Sequence, residues 1–341
     1  MYSLHSHIRI KFAFSALVII TILLTVSACA TNSITGRQQL MIVSEESAIM
    51  KSSSAYSSLI GGLSKTGKLS NDTDQIHRVK DITDRLITQA VKYRPETEKW
   101  LWSINVIDDP DTVNAFCMAG GKMAIYSGLI KQVEPTDDEL AQVMGHEISH
   151  ALARHTAEKM SVKLATELAV LTATAISDPE NQNTVHDVSS IAALTLISLP
   201  NSRTAEAEAD QIGIELAAKA GYDPRAAVSL WEKMMKVSGN ASRFDFLSTH
   251  PSSPKRIDTL AGLEQTMLPI YEEGKLNRVD NPHPWSTVAS NLEIPDSTAI
   301  LPRVRYKSTA QRLREIFILK NDGVITESDF QKKKQELLDE Y

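Results

Sequence analysis

Cysteine is nearly absent from this 341-residue chain: only Cys29 and Cys117 occur, too few for a disulfide framework. A basic surplus is missing as well. With 36 Lys and Arg against 42 Asp and Glu, the formal net charge of −6 argues against nucleic acid as a partner. Internal repeats are lacking. The long apolar run, Phe12 to Val26, is short for a bilayer-crossing helix and is interrupted by Thr21 and Thr25.

Among what is present, His146-Glu147-Ile148-Ser149-His150 stands out. On an α-helix, residues four apart stack on one face, so both imidazoles can converge on one ion at about 2 Å each, the length of a zinc–nitrogen bond. Glu147, about 100° further round the turn, can then take a proton from water at that ion, as in a zinc peptidase. Two surface histidines on an amphipathic helix would show the same five residues, so the helix and a third ligand need support of their own. The helix has it. Thr136 and Glu139 form a capping box, and Asp137 and Asp138 suit the positive end of the dipole. Leu140, Val143, Met144, Ile148, Ala151 and Leu152 recur with helical period, a stripe that leaves His146 and His150 near its border.

A second helix opens with Asn201 to Asp210, with Ala205, Ala209, Ile212 and Leu216 as its apolar seam and Gly221 then Pro224 as its stop. Glu206 and Asp210 share one face of it. A catalytic zinc takes three protein ligands, and a further carboxylate orients a ligating histidine. Glu206 as ligand and Asp210 as orienter meet both needs within one turn; a solvated acidic helix start is the alternative. Glu208 points about 200° away from Glu206 and is expected to be solvated. His155 is expected on the helix surface, because the metzincin pattern requires a glycine and one more residue of spacing. Cys117 as a nucleophile is the competing chemistry. It lacks an adjacent histidine and sits between Phe116 and Met118, where a structural thiol is expected.

The HExxH helix followed by Glu-x-x-x-Asp resembles the gluzincin peptidases, and the surrounding words narrow the likeness to the group containing HtpX, the CAAX prenyl proteases and the BepA and LoiP lipoproteins. Four further stretches carry it: Thr35 to Leu40, Asn114 to Lys122, Ser202-Arg203, and His250-Pro251 ahead of Arg256. The resemblance implies an α+β, predominantly helical zincin-like metallopeptidase fold with a small antiparallel sheet. It implies one Zn²⁺ per chain on His146, His150 and Glu206, Glu147 as general base, and Asp210 and Arg256 supporting the ligands. His250 is placed near the metal, either to stabilise an oxyanion or to occupy the open coordination position. Substrate is expected to lie extended against Lys122 to Tyr126, with Asn114, Gly121, Lys122, Met123 and Ala124 as its contacts.

Arg9 and Lys11 precede the apolar run, and no acidic residue occurs before Cys29, the composition of a signal peptide over residues 1–28. Val26-Ser27-Ala28-Cys29 resembles a bacterial lipobox, which implies cleavage before Cys29 and acylation of its thiol. Ala30 in place of Asp points to the outer membrane of a Gram-negative cell, facing the periplasm; an uncleaved membrane helix is the alternative. The mature chain has 34 basic and 42 acidic residues, about −8, and Cys117 then has no disulfide partner.

Residues 29–275 are expected to form the peptidase domain, 276–307 a proline-marked linker, and 308–341 a tail that resembles the SHOCT module and serves self-association or a partner, the alternative being a solvated helical hairpin docked on its own domain. No EF-hand spacing of carboxylates is present there. Residues 178–186 are expected to be a polar loop able to fold over the cleft. The reading is a lipid-anchored periplasmic zinc endopeptidase acting on misfolded or stalled envelope proteins. The alternative is a chaperone-like outer-membrane protein assembly factor whose zinc site is mostly locked by His250.

Overall fold

The structure, a computed structural model, describes residues 29–175, 177, 181–193, 199–238, 246, 249–250, 254–278, 280–289 and 331. The expected signal segment 1–28 and, apart from Gln331, the expected tail lie outside them. The chain divides into two units, 1–291 and 292–341.

Strands β1 (Cys29–Thr31) and β2 (Gln38–Leu40) form an antiparallel hairpin ahead of helices α1 (Glu45–Lys65) and α2 (Thr73–Tyr93). Ser44 and Asp72 start these helices by accepting from backbone N–H groups of the first turn, which otherwise have no intrahelical partner. A mixed sheet follows: β3 (Ser103–Ile107), β4 (Ala115–Met118) and β5 (Lys122–Tyr126), in the order β3-β5-β4. β5 is central. It pairs in parallel with β3 (Ser103 opposite Lys122) and antiparallel with β4 (Cys117 opposite Met123). Gly120 and Gly121 turn the β4–β5 connection at φ of 78° and 71°, and a side chain at Gly121 would strike the Trp102 ring.

Helices α3 (Ser127–Val133), α4 (Asp137–Leu152), α5 (His155–Ala175), α6 (Gln182–Ala193), α7 (Leu199–Lys219), α8 (Ala226–Ser238) and α9 (Pro254–Leu276) complete the body. The capping box of α4 is formed on both sides: Glu139 N donates to Thr136 Oγ1 at 3.2 Å and Thr136 N to Glu139 Oε2 at 2.8 Å. Rather than showing one buried side, α4 is buried nearly all round, because α2, α7, α8 and β4 all pack on it. Leu86, Ile104, Met123, Ile125, Leu140, Met144, Ile148, Ile212 and Leu216 belong to the single large core.

α4 and α7 cross at a glycine pair. A Cβ on Gly145 would stand 2.9 Å from Gly213 O, and one on Gly213 would stand 2.8 Å from His146 N. That contact is too close for any side chain, so the absence of two methyl groups lets the two helices carrying the expected ligands meet. The segment expected as a linker starts as part of the body. Ile104 N donates to Thr287 O at 3.0 Å, Ser286 N to Asp84 Oδ1 at 2.8 Å and Trp285 Nε1 to Thr88 Oγ1 at 3.0 Å. Residues 285–287 thereby cover the outer edge of β3, leaving the outer edge of β4 as the one turned toward α4.

Candidate active site

His146 and His150 leave α4 one turn apart with their Nε2 atoms 3.1 Å from each other. Across the glycine crossing, α7 brings the Glu206 carboxylate to 3.4 Å from each of them. His250 closes the group: its Nδ1 lies 3.2 Å from His146 Nε2 and 3.0 Å from Glu206 Oε2. Donors about 2.0–2.1 Å from a tetrahedral zinc stand roughly 3.3 Å from one another. These four residues offer one nitrogen or oxygen each within 4.8 Å of one another, and the distances given are close to that spacing. Three imidazoles and a carboxylate suit zinc, so the residues fit the ion.

Each ligand is itself held. Asp210 Oδ1 lies 3.0 Å from His146 Nδ1, and Arg256 clamps Asp210 through Nε and Nη2 at 2.7 Å each. Arg256 Nη1 also reaches Glu206 Oε2 at 3.2 Å, and its guanidinium lies 3.9 Å over the Trp231 ring. His250 is fixed by its backbone N–H on Phe246 O and by the Phe246 ring.

Charge follows this packing. Burial alone would lower the His146 pKa, but hydrogen bonds to Asp210 and Glu206 push it up to about 9. Burial would raise Glu206, yet His146 and His250 hold it far below the usual carboxylate range. His150 is pushed down by burial and by the neighbouring histidines. Burial raises Glu147, partly offset by His250 and His146. The Cys117 backbone N–H, on the side facing Glu147, also favours the charged form of the carboxylate. Its Oε1 is buried 3.3 Å from His250 Nε2 but is not aligned for a hydrogen bond with any described group. That places a buried carboxylate beside the four converging donors, where a general base is required.

The structure brings His146, Glu147, His150, Glu206, Asp210, His250 and Arg256 together, and it separates others. The expected pairing of substrate with β5 through Gly121, Lys122, Met123 and Ala124 is corrected: β5 is paired on both edges, so its backbone cannot accept another strand, whereas Asn114 lies just ahead of the edge strand β4. Asn114 O is used by Tyr126 N, Gly121 packs on Trp102, and Lys122 Nζ donates to Leu101 O. The cleft, about 920 Å³, is bounded instead by Phe116 and Cys117 of β4, by Val162, Thr166 and Val170 of α5, and by Ser190 of α6. The loop expected at 178–186 is helical from Gln182 onward, and α6 forms part of the cleft wall; residues 178–180 lie outside the described set. Cys117 is buried, which raises its thiol pKa, as a structural cysteine requires.

Two residues expected at the surface are drawn inward: His155 is buried and Glu208 is half-buried. His155 is 6 % exposed, with Nδ1 2.8 Å from His150 Nδ1 and Nε2 2.9 Å from Glu208 Oε2. Glu208, 12 % exposed, is gripped by Arg37 Nε and Nη2, both at 2.9 Å. Burial would raise its pKa, but His155 and Arg37 hold it at about 2. α4 ends at Leu152, and Arg154, at φ 61°, turns the chain so that His155 heads a new helix. No glycine or proline signals that break. Arg37 lies in the early stretch Thr35 to Leu40, whose pairing with Glu208 and Glu158 no local pattern shows.

Comparison with known sequences agrees with the geometry. Residues 73–264, more than half of the chain, match Peptidase family M48. The mitochondrial metalloendopeptidase OMA1 of Arabidopsis thaliana is 40% identical over 179 residues, 52% of this chain and 35% of that protein. The metalloprotease LoiP of Escherichia coli is 32% identical over 149 residues, 42% and 56% of the two chains. The beta-barrel assembly-enhancing protease of Yersinia pestis is 31% identical over 167 residues, 47% and 34% of the two chains. The matched part spans from about a third to a little over half of these relatives. The family match covers both helices that carry the donor residues, and this chain belongs to Peptidase family M48.

Proposed function

We propose that the chain is a zinc-dependent endopeptidase, and the observation that carries this is the four-donor cluster with the buried Glu147 carboxylate beside it. When bound, zinc supplies a Lewis acid that polarises the peptide carbonyl and makes water acidic near neutral pH. His146, His150 and Glu206 hold the ion, and Asp210 keeps the His146 ring in register. Glu147, its pKa raised by burial, takes the proton of the attacking water and passes it to the departing amine. The substrate lies extended along the outer edge of β4, where the Cys117 N–H already points at Glu147, with α5 as the opposite wall. The test is cleavage of an unfolded outer-membrane protein with and without chelator, alongside Glu147→Gln. Loss of cleavage in both, with zinc retained by Glu147→Gln, is expected; wild-type cleavage by Glu147→Gln removes the general-base role.

The lipobox-like Val26-Ser27-Ala28-Cys29 supports the finer reading of a lipoprotein anchored through Cys29 in the outer membrane and facing the periplasm, and the likeness to a beta-barrel assembly-enhancing protease supports misfolded or stalled envelope proteins as substrates. Cys29 is exposed at the start of β1. The OMA1 relatives are mitochondrial by name, and the lipobox-like sequence is what favours the bacterial envelope here. Residues 308–341 are proposed as a SHOCT-like association module.

A second reading, a chaperone-like assembly factor with a self-restrained zinc site, draws support from His250. Its Nδ1 stands at the fourth corner of the donor set, and its Nε2 lies 3.3 Å from the general base.

A further inference from the structure

We propose that His155 is a positioning residue for the metal ligand His150, held through Glu208 by Arg37 of the N-terminal hairpin. The proposal rests on the zinc reading above. His150 faces the donor cluster with Nε2, so when that nitrogen ligates a metal the ring proton must sit on Nδ1. Within hydrogen-bond reach of Nδ1, at 2.8 Å, is His155 Nδ1. It can accept only if its own proton is on Nε2, and there Glu208 Oε2 waits at 2.9 Å. Every donor and acceptor is then assigned: His150 Nδ1–H donates to His155, His155 Nε2–H donates to Glu208, and the Glu208 carboxylate also accepts from the Arg37 guanidinium.

The far side of the relay is built as firmly. Arg37 also grips Glu158 through Nη1 and Nη2, both at 2.6 Å. Gln39 donates to Glu158 at 2.7 Å and to Ala153 O at 2.8 Å, and Asn32 donates to Ala153 O at 2.9 Å. Ala153 follows the last residue of α4, so the hairpin fixes the helix break that aims His155 at His150. The two histidine ligands thus have parallel supports of different length. His146 meets an arginine-clamped carboxylate directly, and His150 meets one through an interposed imidazole.

The test uses the full-length protein and measures zinc affinity by competition with a chromophoric chelator, together with the ring N–H proton signals of the cobalt-loaded form. His155→Ala should bind zinc roughly 10 to 100-fold more weakly, the usual cost of losing a group that orients a ligand. The cobalt-shifted His150 N–H signal should disappear through solvent exchange. His155→Gln, whose amide can accept from His150 and donate to Glu208, should restore both, whereas His155→Leu, which fills the space without a polar group, should not. Wild-type zinc affinity or an unchanged N–H signal in His155→Ala overturns the proposal. If His155→Ala does not fold, Glu208→Ala takes its place, with weaker zinc binding expected and wild-type affinity overturning the relay. A wild-type protein that binds no zinc overturns the metal reading itself, and the relay with it; a zinc-binding wild type with unaffected variants sinks the relay alone.

Discussion

His250 shows how much depends on a single ring. An imidazole that ligates through Nδ1 has its Nε2 proton left to give, and the nearest carboxylate oxygen in that direction is Glu147 Oε1. In this arrangement the fourth coordination position and the base are occupied by one residue, and removing it frees both. His250→Ala is therefore expected to raise cleavage of unfolded substrate and to change the visible spectrum of the cobalt-substituted protein. A rate loss of about 2.7–4 kcal/mol with an unchanged cobalt spectrum would instead mark an oxyanion donor, as loss of one such group costs. The same residue scale explains what could be read in advance. His146, Glu147, His150, Glu206 and Asp210 were visible because helical spacing of three or four residues determines which side chains share a face. His155 and Glu208 were not, because their pairing depends on a helix break at Arg154 and on a hairpin more than a hundred residues upstream in sequence.

At the level of elements, the crossing of α4 and α7 sets the metal site, and it tolerates no added atom. A methyl on Gly213 would press on the backbone of His146, which cannot rotate away. Gly213→Ala is expected to cost roughly 1–3 kcal/mol, as overpacking does, and to weaken zinc binding by moving Glu206 away from the histidines. Gly61→Ala, on α1 with open space around it, should instead be neutral or stabilising by up to about 1 kcal/mol. Denaturant unfolding of both variants checks this, and equal stabilities would contradict the crossing argument. Strand order was the element-level feature that local pattern could not supply. The residues of β5 look like a cleft strand in sequence, but the parallel partner β3 and the antiparallel partner β4 take both of its edges, and β4 lines the cleft.

For the whole molecule, the hairpin that begins at Cys29 is part of the site's support, so an anchor at that residue would attach the membrane directly to the peptidase body. No helix among the described residues is long and apolar enough to cross a membrane. Cys29→Ser is expected to abolish lipid labelling and release the protein from the membrane fraction, since stable attachment requires more than one acyl chain. A Cys29→Ser protein that stays membrane-bound with residues 1–28 uncleaved would contradict the lipoprotein reading. Two helices, brought together at a pair of glycines, place His146, His150 and Glu206 where they would share one zinc. Metal analysis of the purified protein should find one zinc per chain in the wild type and loss of most of it in Glu206→Ala; full zinc occupancy in Glu206→Ala would rule out Glu206 as the third ligand.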